Sequence, residues 1–191
     1  MASVSSLMFL FIFPAVISSI TAVTDNSCSD FIRTSCNATL YPSVCYDSLS
    51  PYADSIKQNP RKLAQAAISV SLKSARNASS LANRLARSSP DDGALKDCAD
   101  TLADAVDLIK RSAHELGRLR RSSFGWQLSN IQSWLSAGMT DDDTCLDEFD
   151  DSTGDSGLSG RVSDAMKVTG YALAFVNNLA TSQVKKKGNR P

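Results

Sequence analysis

Residues 95–149 read LKDCADTLADAVDLIKRSAHELGRLRRSSFGWQLSNIQSWLSAGMTDDDTCLDEF. Apolar residues recur at helical spacing on both sides of the basic RLRRSS turn: Leu95, Cys98, Leu102, Ala105, Val106 and Ile109 before it, then Leu128, Ile131, Trp134, Leu135 and Met139 after it. That period belongs to amphipathic helices rather than strands. Cys98 stands near the start of the first helix and Cys145 near the end of the second, so an antiparallel hairpin brings them together. A bridge closing a loop of about 48 residues is worth roughly 4 kcal/mol by chain entropy.

Upstream, Asn59-Pro60 is a helix start, with Asn as N-cap and Pro at the first helical position. Leu63, Ala67, Val70, Ala78, Leu81 and Leu85 carry that helix to about Ser89, and Ser89-Pro90-Asp91-Asp92-Gly93 breaks it. The next helix runs from about Ala94 to about Leu119, and Ser122–Gly125 is read as the turn after it. Residues 150–160 (DDSTGDSGLSG) are read as a loop. Val162, Ala165, Met166, Val168, Ala172, Leu173, Val176 and Leu179 define a last helix. Short connections between four helices predict an all-α, up-down-up-down four-helix bundle over 59–184, followed by a basic tail over 185–191.

Residues 23–58 are expected to form an N-terminal α-hairpin extension of two short helices. Tyr41-Pro42 favours a helix start at Pro42. A Cys36–Cys45 bridge would close the hairpin, worth roughly 2–3 kcal/mol for a loop of about ten residues. Cys28 could compete for a partner and is read as free. Residues 1–22 are expected to be a signal peptide: Leu7 to Ile20 is nearly all apolar, and Ile20-Thr21-Ala22 offers a cleavage site. The run is shorter than the roughly 20 residues of a membrane span. The mature protein is therefore expected to be secreted. Five cysteines fit an oxidising compartment, as do the glycosylation triplets at Asn37 and Asn77.

The 20 acidic and 20 basic residues cancel, which excludes a general nucleic-acid binder. Gly154-Asp-Ser-Gly157 resembles a serine-protease word, but Leu158 follows it. The single histidine, His114, lies on an amphipathic helix with no third group to orient it. Residues 141–155 hold eight acids and no base. A calcium loop beginning at Asp141 would place Leu146 and Ser152 where Gly and Glu are needed, so no metal is expected. Asp97, Asp100, Asp104 and Asp107 form one acidic stripe. Asp is a poor helix former and like charges at this spacing repel, so such a stripe is a candidate contact surface.

Three segments carry a resemblance: FIRTSCNATLYPSVCYDSL at 31–49, KDCADTLADAVDLI at 96–109 and IQSWLSAGMTDDDTCLDEF at 131–149. With their four cysteines, they resemble the plant invertase and pectin methylesterase inhibitor family across essentially all of the mature chain. The resemblance implies the bundle with its α-hairpin, disulfides Cys36–Cys45 and Cys98–Cys145, no enzymatic activity and no cofactor. Invertase inhibitors of the family carry a Pro-Lys-Phe word near the third bundle helix. Here that stretch is Ser123-Phe-Gly-Trp-Gln127, so the pectin methylesterase branch is expected, with invertase as the alternative target. A receptor-binding or structural bundle is the reading from another class. By register from Cys98 and Cys145, the contacts with a pectin methylesterase fall on Asp100, Asp104, Asp107, Gln132, Thr144 and Asp147. A reversible one-to-one complex would form in the apoplast or cell wall, where the pH lies near carboxyl pKa values. The inhibitor is expected to be a monomer, with a dimer conceivable through Cys28, which departs from the family pattern.

Overall fold

The computed structural model describes residues 18–148 and 157–188, with side chains described for 27–148 and 157–182. Helices are α1 (Ser18–Cys36), α2 (Pro42–Leu49), α3 (Ala53–Ile56, after a 3-10 turn at Ser50–Tyr52), α4 (Pro60–Ser88), α5 (Gly93–Gly117), α6 (Phe124–Asp147) and α7 (Leu158–Gly188). Helices α4 to α7 form the four-helix bundle: α5 packs between α4 and α6, and α7 closes the ring against α6 and α4.

Local chemistry sets the helix ends. Asn59 Oδ1 accepts from the backbone N–H groups of Arg61 and Lys62, capping α4. Asp92 does the same for α5 through the N–H of Leu95. Arg61 reaches from the start of α4 to donate to the carbonyl oxygens of Leu116 and Gly117 at the end of α5. Lys57 and Gln58 sit in the left-handed region, φ 47° and 55°, and turn the chain sharply from α3 into α4.

Two apolar clusters fill the bundle. The larger joins the extension to α4 and α7 through Ile32, Leu49, Ile56, Ile68, Phe175 and Val176. The smaller, at the opposite end, is built from Ala78, Ala82, Leu95, Ala99, Leu102, Leu158 and Val162 around the Cys98–Cys145 disulfide. Cys36–Cys45 closes the extension, with Cα atoms 5.6 Å apart. Cys28 is half-buried against the larger cluster and free. Tyr171 of α7 is buried with Ser48 and Tyr52 of the extension beside it, and burial pushes its phenol up to about 12. Between α4 and α7, the buried Ser71 and Thr169 hydroxyls lie 2.7 Å apart, and Thr169 also donates to the carbonyl of Ala165.

Several expected boundaries move. The first helix of the extension is long rather than short, 19 residues. The expected turn at Ser122–Gly125 ends at Ser123, because α6 begins at Phe124. Gln127 makes this possible. Its buried amide accepts from the Arg120 N–H and the Ser123 hydroxyl and donates to the Arg118 carbonyl, satisfying the turn from within. The expected 150–160 loop gives way to helix at Leu158, which is buried in the disulfide-end cluster. Helix α7 continues to Gly188, so the backbone of the expected tail at 185–191 is helical that far. Most of the expected signal segment, residues 1–17, lies outside the described residues, as do most of the acidic run after Glu148 and the Gly154-Asp-Ser triplet.

Helices α5 and α6 approach closely at Gly138. A Cβ there would meet the Ala105 carbonyl oxygen at 3.5 Å and Ile109 Cγ1 at 3.6 Å, which is ordinary contact. The site has room for one methyl group, so Gly138→Ala is expected to raise stability by about 0.5–1 kcal/mol through helix propensity and unfolded-chain entropy. Denaturant unfolding would check it, and a loss of stability would mean that the helices separate instead.

Candidate functional site

Helix α5 turns one flank outward. Asp97, Asp100, Asp104 and Asp107 are all exposed along it, while Cys98, Leu102, Ala105 and Ile109 face the core. Helix α6 brings acids to the same region. Asp141 lies against α5, and burial followed by the charge of Asp104 raises its pKa. Asp104 and Asp141 therefore share one electrostatic environment across the α5–α6 seam.

Successive residues of a helix point about 100° apart, which separates Asp141, Asp142 and Asp143. Asp141 is half-buried beside α5, and Asp143 is exposed in a groove with Met139, Met166 and Leu173 on the α7 side. Asp142 is fully buried, and neither of its carboxylate oxygens has a hydrogen-bond partner in the described structure. Burial, then the charge of Asp141, raises its pKa to about 7. Sequence reading noted this run only as acidic and missed Asp142. The signal was present: Leu128, Ile131, Leu135, Gly138, Asp142 and Cys145 repeat at alternating spacings of three and four, the core stripe of one helix.

The six contact positions expected from the resemblance do not all share a flank. Asp100, Asp104 and Asp107 lie together on α5. Thr144 and Asp147 are exposed at the end of α6, where the Thr144 hydroxyl donates to the Thr140 carbonyl. Gln132 lies on the other side of α6, where its amide donates to Asn177 Oδ1 of α7 at 2.6 Å. Asn37 is exposed in the turn after α1, and Asn77 is exposed midway along α4.

Among the described residues, no group of three or more His, Cys, Asp or Glu side chains is placed to hold a metal ion. No helix among them is long and apolar enough to cross a membrane. The architecture is that of a disulfide-stapled helical bundle with one exposed acidic flank.

The comparisons make this specific. The family model described as plant invertase/pectin methylesterase inhibitor matches residues 30–175. The chain is 37% identical to "Pectinesterase inhibitor 3" of Arabidopsis thaliana, over 84% of each chain. It is 34% identical to the "21 kDa protein" of Daucus carota, over 88% of this chain and 93% of that one. A crystal structure of a mutant form of a pectin methylesterase inhibitor from Arabidopsis covers 76% of this chain and 95% of its own, with a TM-score of 0.63. At 22% identity, that likeness shows the fold. This chain belongs to the plant invertase/pectin methylesterase inhibitor family.

Proposed function

We propose that this protein inhibits pectin methylesterase, covering the enzyme's pectin-binding cleft in a reversible one-to-one complex in the cell wall. The observation that carries the reading is the near full-length similarity to a chain named as a pectinesterase inhibitor, 37% identical over 84% of both. The mechanism is steric, and the inhibitor turns nothing over. Secretion through an N-terminal signal accords with two disulfides, which persist in oxidising compartments. The experiment mixes the oxidised protein with a plant pectin methylesterase and, separately, with an acid invertase. Loss of esterase activity at near-equimolar inhibitor, with invertase untouched, is the expected result. Loss of invertase activity alone would replace the target.

The contact surface in this reading is the α5 flank with Asp100, Asp104 and Asp107, extended by Thr144 and Asp147; Gln132, on the α7 side of α6, would be a second, separate contact. Rising pH adds negative charge there, because the raised pKa of Asp141 beside Asp104 delays its ionisation. Carboxyl–carboxyl hydrogen bonds to an acidic partner surface form only while one member is protonated. Affinity for the esterase is expected to fall as pH rises and Asp141 ionises beside Asp104. Replacing Asp100, Asp104 and Asp107 together by Asn is expected to flatten that profile. An unchanged inhibition constant as pH rises would remove these residues from the interface.

A further inference from the structure

The outer face of α5 changes sign along its length. After Asp97, Asp100, Asp104 and Asp107 come Lys110, Arg111 and His114, all exposed. Beyond the helix, the turn adds exposed Arg118, Arg120 and Arg121, and α6 opens with Trp126, 68% exposed. Among the described residues, the one ion pair is Lys167–Asp164, so no carboxylate lies within 4 Å of these five Lys and Arg side chains. Helix polarity accounts for a cation in the last turn only. Lys110 and Arg111 sit about two turns inside the end of α5, where that effect has faded.

Between α5 and α6 this face folds into a cleft of about 410 Å³, lined by Asp107, Lys110, Arg111, His114, Glu115 and Trp134. That volume falls within the roughly 300–1,000 Å³ typical of small-ligand sites. The lining is of mixed sign around an aromatic wall. A polyphosphate or poly-glutamate chain has no hydroxyls to donate to Asp107 and Glu115 and no sugar ring to lie on Trp134. A uronic acid would use the cations, the carboxylates and the indole together. Its carboxylate accepts from Lys110 and Arg111 in charge-assisted hydrogen bonds. Its hydroxyls donate to Asp107 and Glu115. The weakly positive C–H face of its ring matches the negative face of the Trp134 indole. From Lys110 to Arg118 the helix advances about 12 Å, so the cations continue past one sugar ring. The Gln127 amide holds the turn that carries Arg118 and Arg120.

We infer that the cleft between Lys110, Arg111 and Trp134 binds an oligosaccharide of uronic acids, with Arg118, Arg120 and Arg121 engaging the carboxylates of the next residues. The site borders the proposed esterase-contact flank, sharing Asp107 with it, and is therefore measured with no esterase present.

The test is calorimetric titration of the full mature protein with short unesterified oligogalacturonates. Methyl-esterified oligomers and poly-glutamate of matched charge serve as controls. Binding is expected to unesterified oligomers, weakening with salt, and weaker or absent for both controls. Lys110→Gln with Arg111→Gln is expected to cost at least about tenfold in affinity, and Trp134→Leu about fivefold. Because Trp134 is half-buried, unchanged melting would first be required of its variant; the exposed Lys110 and Arg111 pair carries the test independently. Absence of binding, equal binding of poly-glutamate, or full affinity in the Lys110/Arg111 variant would each overturn the site. Loss of uronate binding with esterase inhibition intact would support it and show that Lys110 and Arg111 are not needed for inhibition.

Discussion

Asp142→Asn is expected to stabilise the protein by roughly 4 kcal/mol near pH 7 and to change it little near pH 4. The Asp142 side chain is fully buried, without a hydrogen-bond partner for either oxygen, and its pKa is raised to about 7 from the ordinary carboxyl value of 3.8. Between those two values the folded state holds a proton that the unfolded chain has released. Stability is therefore fully present below the unfolded pKa and declines as pH rises toward about 7, where the folded carboxyl ionises too. Asn keeps the shape of the protonated acid and removes the ionisation. Denaturant unfolding of both proteins across that range would show a sloping native profile and a flatter variant one. Parallel profiles would mean that Asp142 meets water or a partner in solution. The contribution of Asp142 thus favours the folded state in acid, the condition of the wall in which the proposed inhibitor would work.

Removing the disulfide at the other key position, with Cys98→Ala and Cys145→Ala together, is expected to cost about 4 kcal/mol. The two residues are 47 apart in sequence, against 9 for Cys36 and Cys45, so more unfolded-chain freedom is released. The surrounding packing gives little in return. Ala78, Ala82 and Ala99 each bury a single methyl group there, leaving Leu95, Leu102, Leu158 and Val162 as the larger buried side chains beside the disulfide. At the opposite end Ile32, Leu49, Ile56, Ile68 and Phe175 hold the extension without depending on Cys36–Cys45 to the same degree. Denaturant midpoints of the two double variants would check the order. A larger loss from the Cys36–Cys45 pair would show that the extension, rather than the disulfide end, limits stability.

The bundle was legible because its signals are local and repeated. Asn59-Pro60, the helical spacing through Leu95–Ile109 and Leu128–Leu135, and paired cysteines each point to one arrangement. The acidic flank of α5 was legible for the same reason, since four aspartates at helical spacing must share a side. What escaped notice depends on long-range placement. Gln127 looks like an ordinary polar residue until the chain returns to place Arg118 and Arg120 against its amide. Asp142 was hidden by its neighbours: three consecutive acids suggest solvent, although the core spacing runs through the middle one. The position of Gln132 beside Asn177 depends on α7, which no pattern near residue 132 announces.

The hydroxyl pair of Ser71 and Thr169 bears on which bundle this sequence can make. Alanine-rich helices such as α4 offer smooth surfaces, on which a neighbour could slide by one turn, about 5.4 Å, and still find methyl groups. A slide of α7 against α4 would part the two buried oxygens, now 2.7 Å apart. Thr169 would keep its bond to the Ala165 carbonyl, but the Ser71 hydroxyl stranded in apolar surroundings would cost about 1–3 kcal/mol. The pair acts as a detent between the two helices. It stabilises the native alignment modestly and penalises every shifted one, so the positions of the outward-facing side chains along the bundle are fixed from inside it.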